Sequence, residues 1–233
     1  ASLAALVPAL AAAPGAAPET WTWDGGGALV SRAVWRGFPQ GTAGSLQPWV
    51  AGSRGGACLE VWGSISPDGS YTELDLSVAW TRGLGDGALT LSLEDYFVSE
   101  RGDRGDYLDV DGVRGGEPGG SHTVELGLRL EGPERLPLAL TLGWNVYNDP
   151  DRSAFVRMEG GRDLGPVYLR ARTGMTLNRS EWWYETDGAE LTELSLKAEL
   201  DLFERSERTV YASGEIVRNP FLGRTYFVLA LGV

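Results

Sequence analysis

Charged side chains at every second position are the groups in this chain whose type and spacing could do chemistry. The acids are Glu60, Glu73, Asp75 and Glu94, and the bases are Arg32, Arg36, Arg157, Arg170 and Arg172. An acidic wall that faces a basic wall across water creates a transverse field, which aligns and selects small polar solutes. These nine residues are therefore the candidates for a charged constriction.

The same charges permit a second interpretation, in which neighbouring segments pair them into a lattice of salt bridges that fills a narrow interior. An isolated buried ion costs several kcal/mol, so each charge needs water or a partner of opposite sign. Arg170 and Arg172, close to Glu199 and Asp201, suit the lattice, whereas the arginines of the first segment suit the field. The sequence leaves both interpretations open.

A strand with one polar and one apolar face is the element that would position such charges. In the clearest case Leu74, Leu76, Val78 and Trp80 alternate with Glu73, Asp75, Ser77 and Ala79. Successive side chains of a strand point to opposite faces, so a period of two predicts this kind of strand.

The alternation recurs along the chain and predicts about twelve strands. They lie near residues 26–37, 45–52, 57–66, 70–81, 87–98, 121–131, 135–147, 153–161, 165–178, 190–202, 207–218 and 223–233. The even-numbered links are short, and the two longest links, 98–121 and 178–190, are both odd-numbered. Short inner turns with long outer loops are typical of outer-membrane barrels. We therefore predict an all-β fold, a single antiparallel up-and-down transmembrane β-barrel in the bacterial outer membrane.

The apolar phase could face lipid, or it could fill the interior of a soluble barrel. Twelve strands enclose a wider interior than the eight whose side chains can fill it. Aromatic residues of the apolar phase also lie near strand ends, at Trp35, Phe97 and Trp144 on the outer side and at Trp80 on the inner side. Those positions predict an aromatic girdle at the lipid headgroups.

The composition of the chain limits which partners and functions it can have. The 233 residues include 20 Lys and Arg against 32 Asp and Glu, a formal net charge of −12. This acidic balance argues against a nucleic-acid partner, which needs a basic surface. The sole cysteine, Cys58, cannot form an internal disulfide. The partners that the sequence favours are the lipid bilayer and small polar solutes, and no motif implies a cofactor.

The alanine-rich start of the chain predicts three regions. Residues 1–17 resemble the remnant of a signal peptide, with small residues at a cleavage-site spacing. Residues 18–25 are expected to be a periplasmic segment, and residues 26–233 the barrel.

The loop 98–121 offers weaker candidates. Asp109 and Asp111 could donate oxygen ligands to a calcium ion, although the spacing differs from the twelve-residue calcium loop. A solvated acidic loop is the alternative. Two Arg-Gly-Asp triplets, 101–103 and 104–106, resemble adhesion motifs but arise easily in such a composition.

Two aromatic features allow further alternatives. Trp182, Trp183 and Tyr184 could stack on a sugar, or could anchor and pack the second long loop. His122, the only histidine, would have to serve in any histidine-based acid–base mechanism. No nucleophile elbow surrounds it, so we predict a strand-end histidine in contact with headgroups or water, in a protein that is not an enzyme.

Short motifs near the start resemble a known family. Ser31-Arg32, Arg36-Gly37, Gln47-Pro48 and Val61-Trp62-Gly63-Ser64 resemble the opening strands of the TorF-type family of outer-membrane porins. The chain departs from that pattern by its insertion of Ala33-Val34-Trp35 and by its terminal Val233. The resemblance implies an outer-membrane barrel that acts as a pore. A closed barrel that binds a partner, a lipid-modifying enzyme and a soluble ligand-binding barrel are the alternatives.

Overall fold

The computed structural model describes residues 20–100, 107–205 and 208–233. The predicted leader at residues 1–17 lies outside these ranges. Within them no helix is both long enough and apolar enough to cross a membrane.

The described residues form an all-β fold built on twelve long strands, as the alternation predicts. In chain order the strands are β1 (Thr22–Val30), β2 (Ala33–Trp35), β3 (Phe38–Gln40), β4 (Ser45–Arg54), β5 (Ala57–Ile65), β6 (Tyr71–Leu84), β7 (Gly87–Glu100), β8 (His122–Glu131), β9 (Leu138–Tyr147), β10 (Ala154–Asp163), β11 (Val167–Thr176), β12 (Leu191–Arg205), β13 (Arg208–Asn219) and β14 (Arg224–Gly232). All but the short pair β2 and β3 belong to the barrel. Most predicted boundaries agree with these to within a few residues.

The barrel closes because the first and last strands pair. Each long strand runs antiparallel to its neighbours in the chain, and β1 pairs with both β4 and β14, for example through Leu29 opposite Leu231. Closure joins the two terminal strands of the wall, and a membrane span built of strands has to close in this way. The predicted antiparallel up-and-down topology is confirmed.

The leucine-rich phase faces outward and the charged phase faces inward. On β6 the side chains of Val78 and Trp80 are 53% and 46% exposed, whereas Asp75 and Ser77 are 0% and 3% exposed. The same alternation continues around the wall, so that exposed leucine, valine and aromatic side chains cover the exterior. Apolar patches far smaller than this already mark binding or membrane surfaces on soluble proteins. An arrangement with leucine inside is therefore wrong for this chain.

The first predicted strand, 26–37, differs from the structure at both ends. Strand β1 begins earlier, at Thr22, and ends at Val30. The chain then leaves the wall and forms the hairpin β2–β3, which turns at Arg36 (φ 50°) and Gly37 (φ 88°). Positive φ at both central residues is the requirement of a type I′ hairpin turn. We call residues 33–40 the lumen hairpin.

Candidate functional site

The lumen hairpin enters the barrel and is held there by contacts with the wall. The side-chain amide of Asn219 on β13 donates a hydrogen bond to the carbonyl oxygen of Gly37 at 3.2 Å. A Cβ added at Gly37 would lie 1.8 Å from the carbonyl oxygen of Thr192 on β12. Only glycine allows so close an approach of the hairpin to the wall.

Arg36 fastens the tip of the lumen hairpin to the opposite side of the barrel. Its guanidinium donates two hydrogen bonds to the Glu125 carboxylate on β8, at 2.6 and 2.7 Å, and a third to the Tyr184 hydroxyl. The two charged side chains are 4% and 1% exposed. A bidentate, charge-assisted pair with so little access to water is both strong and directional.

Aromatic rings surround this ion pair. Trp35 packs against Tyr96, Trp183 and Tyr184, with ring centroids 5.7 to 5.8 Å apart. The Arg36 guanidinium lies 4.2 Å from the Trp35 ring centroid and 4.7 Å from that of Phe155. The cluster is built from the hairpin, the wall and the loop 177–190. It fills the end of the lumen at which this loop lies.

Burial sets the protonation states of the cluster. Burial lowers the pKa of the Arg36 guanidinium, but Glu125, Tyr184 and Tyr96 together outweigh this effect and hold that pKa well above its usual value. Burial also raises the pKa of the Tyr184 hydroxyl above its ordinary value, so that it remains a neutral hydrogen-bonding group. Arg36 is therefore a permanent cation between aromatic rings and a carboxylate.

A cavity of about 490 Å³ occupies the lumen next to the hairpin. Trp35 and Gln40 of the hairpin line it, together with charged side chains from both sides of the wall. Four of the nine predicted constriction residues are among its lining: Glu73, Arg157, Arg170 and Arg172. This volume falls in the range of sites that hold a small molecule, roughly 300–1,000 Å³.

Three of the four bases that line the cavity are paired with acids, either on the same strand or two strands away around the barrel. Arg157 Nε lies 2.8 Å from Glu193 Oε2, and Lys197 Nζ lies 2.6 Å from Glu199 Oε2. Arg172 contacts Glu215 at 3.2 Å. This pairing follows the lattice interpretation, but with partners other than those predicted.

The partners differ because the strand register decides which charged side chains lie at the same level along the barrel axis, and the sequence does not fix that register. Arg172 bridges Glu159 and Glu215 rather than Glu199. Arg170 lies opposite Lys197 in the pairing of β11 with β12, and its guanidinium lies 5.5 Å from the Tyr168 ring. Because Lys197 is paired with Glu199, Arg170 is the cation that makes this part of the cavity wall positive.

The predicted acids lie together on β5, β6 and β7, and all four are buried. Glu60 and Glu94 flank Ser77 in one row of the sheet, and Asp75 lies two residues further along. Glu94 accepts a hydrogen bond from the Tyr96 hydroxyl at 2.9 Å. Within the described part of the chain, the Asp75 carboxylate has no hydrogen-bond partner. The acidic wall thus exists, but only Glu73 belongs to the cavity lining.

Arg32 and Arg36 are not on the barrel wall, where the predicted first strand placed them. Arg32 follows the end of β1, with its guanidinium 5.9 Å from the Tyr226 ring centroid. Arg36 belongs to the lumen hairpin. Both differences have the same cause, because the chain leaves the wall after Val30.

Two of the four predicted girdle residues are corrected. Trp35 lies in the lumen, within the aromatic cluster. Phe97 is 7% exposed, because Tyr107 and His122 cover its ring at centroid distances of 5.2 Å. Trp80 and Trp144 are 46% and 43% exposed on the outer face, where a girdle would place them.

His122 is buried, contrary to the prediction of contact with headgroups or water. Its Nδ1 lies 3.0 Å from both carboxylate oxygens of Asp95, and its Nε2 lies 2.8 Å from the carbonyl oxygen of Tyr107. Both ring nitrogens are therefore occupied, and the histidine attaches the loop that precedes β8 to the outer face of the barrel.

The remaining loop candidates are placed as follows. Asp111 forms an exposed ion pair with Arg114 at 2.8 Å, and Asp109 accepts a hydrogen bond from the Asp111 amide. Across residues 20–100, 107–205 and 208–233, no group of three or more potential ligands could hold a metal ion. The Arg-Gly-Asp triplets lie outside the described residues. Trp183 packs in the lumen, whereas Trp182 is 48% exposed.

Glu125, Glu159 and Glu215 are the acids that the candidate constriction lacked. Each lies on the inward phase of its strand and contacts an arginine of the lumen. The alternation of their strands already gives their direction. Their roles depend on contacts between strands far apart in the chain, which alternation does not contain.

Comparisons with known proteins add a fold likeness. No protein-family model matches the chain, and neither does any curated protein. A double variant of OccD1 (OprD) is similar at a TM-score of 0.41 and 12% identity, over 92% of this chain and 65% of that one. A BenF-like porin from Pseudomonas fluorescens Pf-5 is similar at 0.39 and 11%, over 91% and 62%.

The chain thus spans less than two thirds of the length of either neighbour. At these scores the likeness carries no argument about function, and the TorF-type resemblance stays a prediction.

Proposed function

We propose that this chain is a bacterial outer-membrane barrel that acts as a porin-like passive channel for small polar solutes. One observation carries the proposal: an apolar exterior surrounds a lumen whose cavity of about 490 Å³ is lined by charge. An exterior of this kind suits lipid, and a charged, concave interior suits water and polar solutes.

The lumen hairpin would be the constriction of this channel. It fills part of the outer lumen, and its residues form one side of the cavity. A solute that passes it meets Arg170 and the Lys197–Glu199 pair on one side and Glu73 on the other. A transverse field from these charges would orient a polar solute in the narrow region.

A closed barrel is the second candidate, and the lumen contacts favour it specifically. Arg36 and Glu125 form a buried ion pair within the aromatic cluster. The other lumen cations Arg157, Arg172 and Lys197 are ion-paired as well. In that case the barrel would serve as a structural or partner-binding protein whose lumen does not conduct.

Planar-bilayer recording of the purified protein separates the two candidates. The channel proposal expects discrete conductance steps when single barrels insert. Repeated insertions without steps, in a preparation whose barrel is shown to be folded by circular dichroism, would reject the channel and favour the closed barrel.

A further inference from the structure

A groove on the outer face of the barrel is separate from the lumen. It has a volume of about 480 Å³ and lies across β9, β10, β11 and β12. Its apolar lining comes from side chains of the lipid-facing phase: Leu138, Met158, Leu169, Ala171 and Leu196.

The strand register explains the shape of this groove. Leu138, Gly160, Ala171 and Leu196 are successive partners in one row across the four strands. The two small residues in the middle of the row form a depression between two leucines. Leu138 leans over it, because a Cβ added at Gly160 would lie 2.7 Å from Leu138 Cδ2.

A cation lies at one end of the groove. Arg162 is exposed, lines the groove and belongs to the same outward phase of β10 as Gly160. The nearby acids do not compete for it, since Glu159 pairs with Arg129 and Arg172, and Asp163, the next residue of β10, belongs to the opposite phase of the strand. The guanidinium is therefore the charge that a ligand in the groove would meet.

The spacing of the cation and the depression matches one class of ligand. Gly160 precedes Arg162 by two residues, and Arg162 is next to the last residue of β10, so the depression lies about 7 Å from the cation towards the barrel middle. A phospholipid has this layout, with a phosphate at the interface and acyl chains that run from it into the bilayer.

We propose that one anionic phospholipid binds here, with its phosphate at Arg162 and an acyl chain over Gly160 and Ala171. Charge complementarity selects an anionic headgroup, and the depression fixes the position of the chain. This inference rests on the barrel lying in a bilayer, which is part of the proposed function, but it does not depend on conduction.

Native mass spectrometry of the full chain in detergent tests the proposal, with phosphatidylglycerol and phosphatidylcholine as probes. We expect one phosphatidylglycerol per barrel, bound about fivefold more tightly than phosphatidylcholine, as one arginine near an anionic lipid implies. Arg162→Gln should abolish this preference, and Ala171→Phe, which fills the depression, should weaken binding of both lipids.

Two matched variants serve as controls. Arg82→Gln removes an exposed arginine from the outward phase of β6, and Ala212→Phe enlarges a residue on the outward phase of β13. Neither should alter lipid binding. Equal affinity for the two lipids, or equal effects of the test and control variants, would overturn the proposal.

Lipid-free dimers that Ala171→Phe dissociates would also overturn it, because the groove would then be an interface between two copies. A chain that stays monodisperse without detergent would refute the membrane location itself, whereas equal lipid affinities in a conducting barrel would refute this inference alone.

Discussion

Arg36 and Glu125 join two segments that lie far apart in the chain, and their pair is nearly inaccessible to water. Two charges removed from water are tolerated only when each satisfies the other, so the loss of one partner leaves an uncompensated ion. The pair therefore keeps the lumen hairpin in one position, and its contribution should be visible when one member is neutralised.

Glu125→Gln should lower the free energy of unfolding by about 3 kcal/mol, because it leaves the Arg36 cation buried without a carboxylate. Urea unfolding of the barrel in lipid vesicles measures this change. Glu199→Gln is the matched control. Its partner Lys197 is partly exposed, so a loss below about 1 kcal/mol is expected. Equal losses in the two variants would show that the Arg36–Glu125 pair contributes no more to the free energy of unfolding than the Lys197–Glu199 pair does.

In a barrel that conducts as proposed, Arg170 should affect ion selectivity rather than stability, since it faces the cavity beside Lys197. Arg170→Gln removes one positive charge from the cavity wall, so the permeability ratio of cations to anions should rise about two- to fivefold. Reversal potentials in a potassium chloride gradient measure this ratio. Arg82→Gln, which changes an outward-facing arginine, should leave it unchanged, and an equal shift in both variants would contradict the assignment.

The lumen hairpin shows at the scale of an element what alternation predicts well and what it misses. Strand periodicity gave the twelve wall strands because each depends mainly on its own local pattern. The predicted first strand ran through 31–37 because the hairpin is also extended and partly apolar. The dipeptide Arg36-Gly37 between two short apolar runs was the available signal of a tight turn.

Gly37 is the position where the hairpin is most sensitive to a small change. Gly37→Ala would place a methyl group against the Thr192 carbonyl oxygen, at a residue whose φ is positive. The hairpin should therefore move away from β12. Trypsin should then cut after Arg36, which is buried in the native protein, and single-channel conductance should increase. Mass spectrometry of the digest detects the cut.

Gly69→Ala is the control for this experiment. Gly69 also has a positive φ, of 68°, but a Cβ there would meet nothing within 4 Å. The control shares the backbone strain and lacks the clash, so Arg36 should stay protected. Cleavage at Arg36 in both variants, or in neither, would mean that the contact with Thr192 does not hold the hairpin.

The candidate site was predictable only in part, for a physical reason. Inward direction follows from the period of two, and it placed Arg157, Arg170 and Arg172 on the lumen side. Ion pairing between side chains depends on the strand register and on segments that enter the lumen. The contact of Arg36 with Glu125 could therefore not be derived from the period-two alternation. Burial of Phe97 likewise depends on a loop that folds back over the wall.

For the whole molecule, the separation of an apolar exterior from a charged interior predicts which tryptophans lipid can reach. Brominated acyl chains quench only rings that they contact, so Trp80→Phe and Trp144→Phe should each remove part of the quenchable fluorescence, because both rings are exposed on the outer face. Trp35→Phe and Trp183→Phe should leave the intensity lost to quenching unchanged, since those rings pack in the lumen. Steady-state fluorescence in brominated and ordinary vesicles measures the difference. If the Trp35 variant lost as much quenching as the Trp80 variant, the hairpin would lie outside the lumen, and the assignment of a lipid-facing and a lumen-facing side would fail with it.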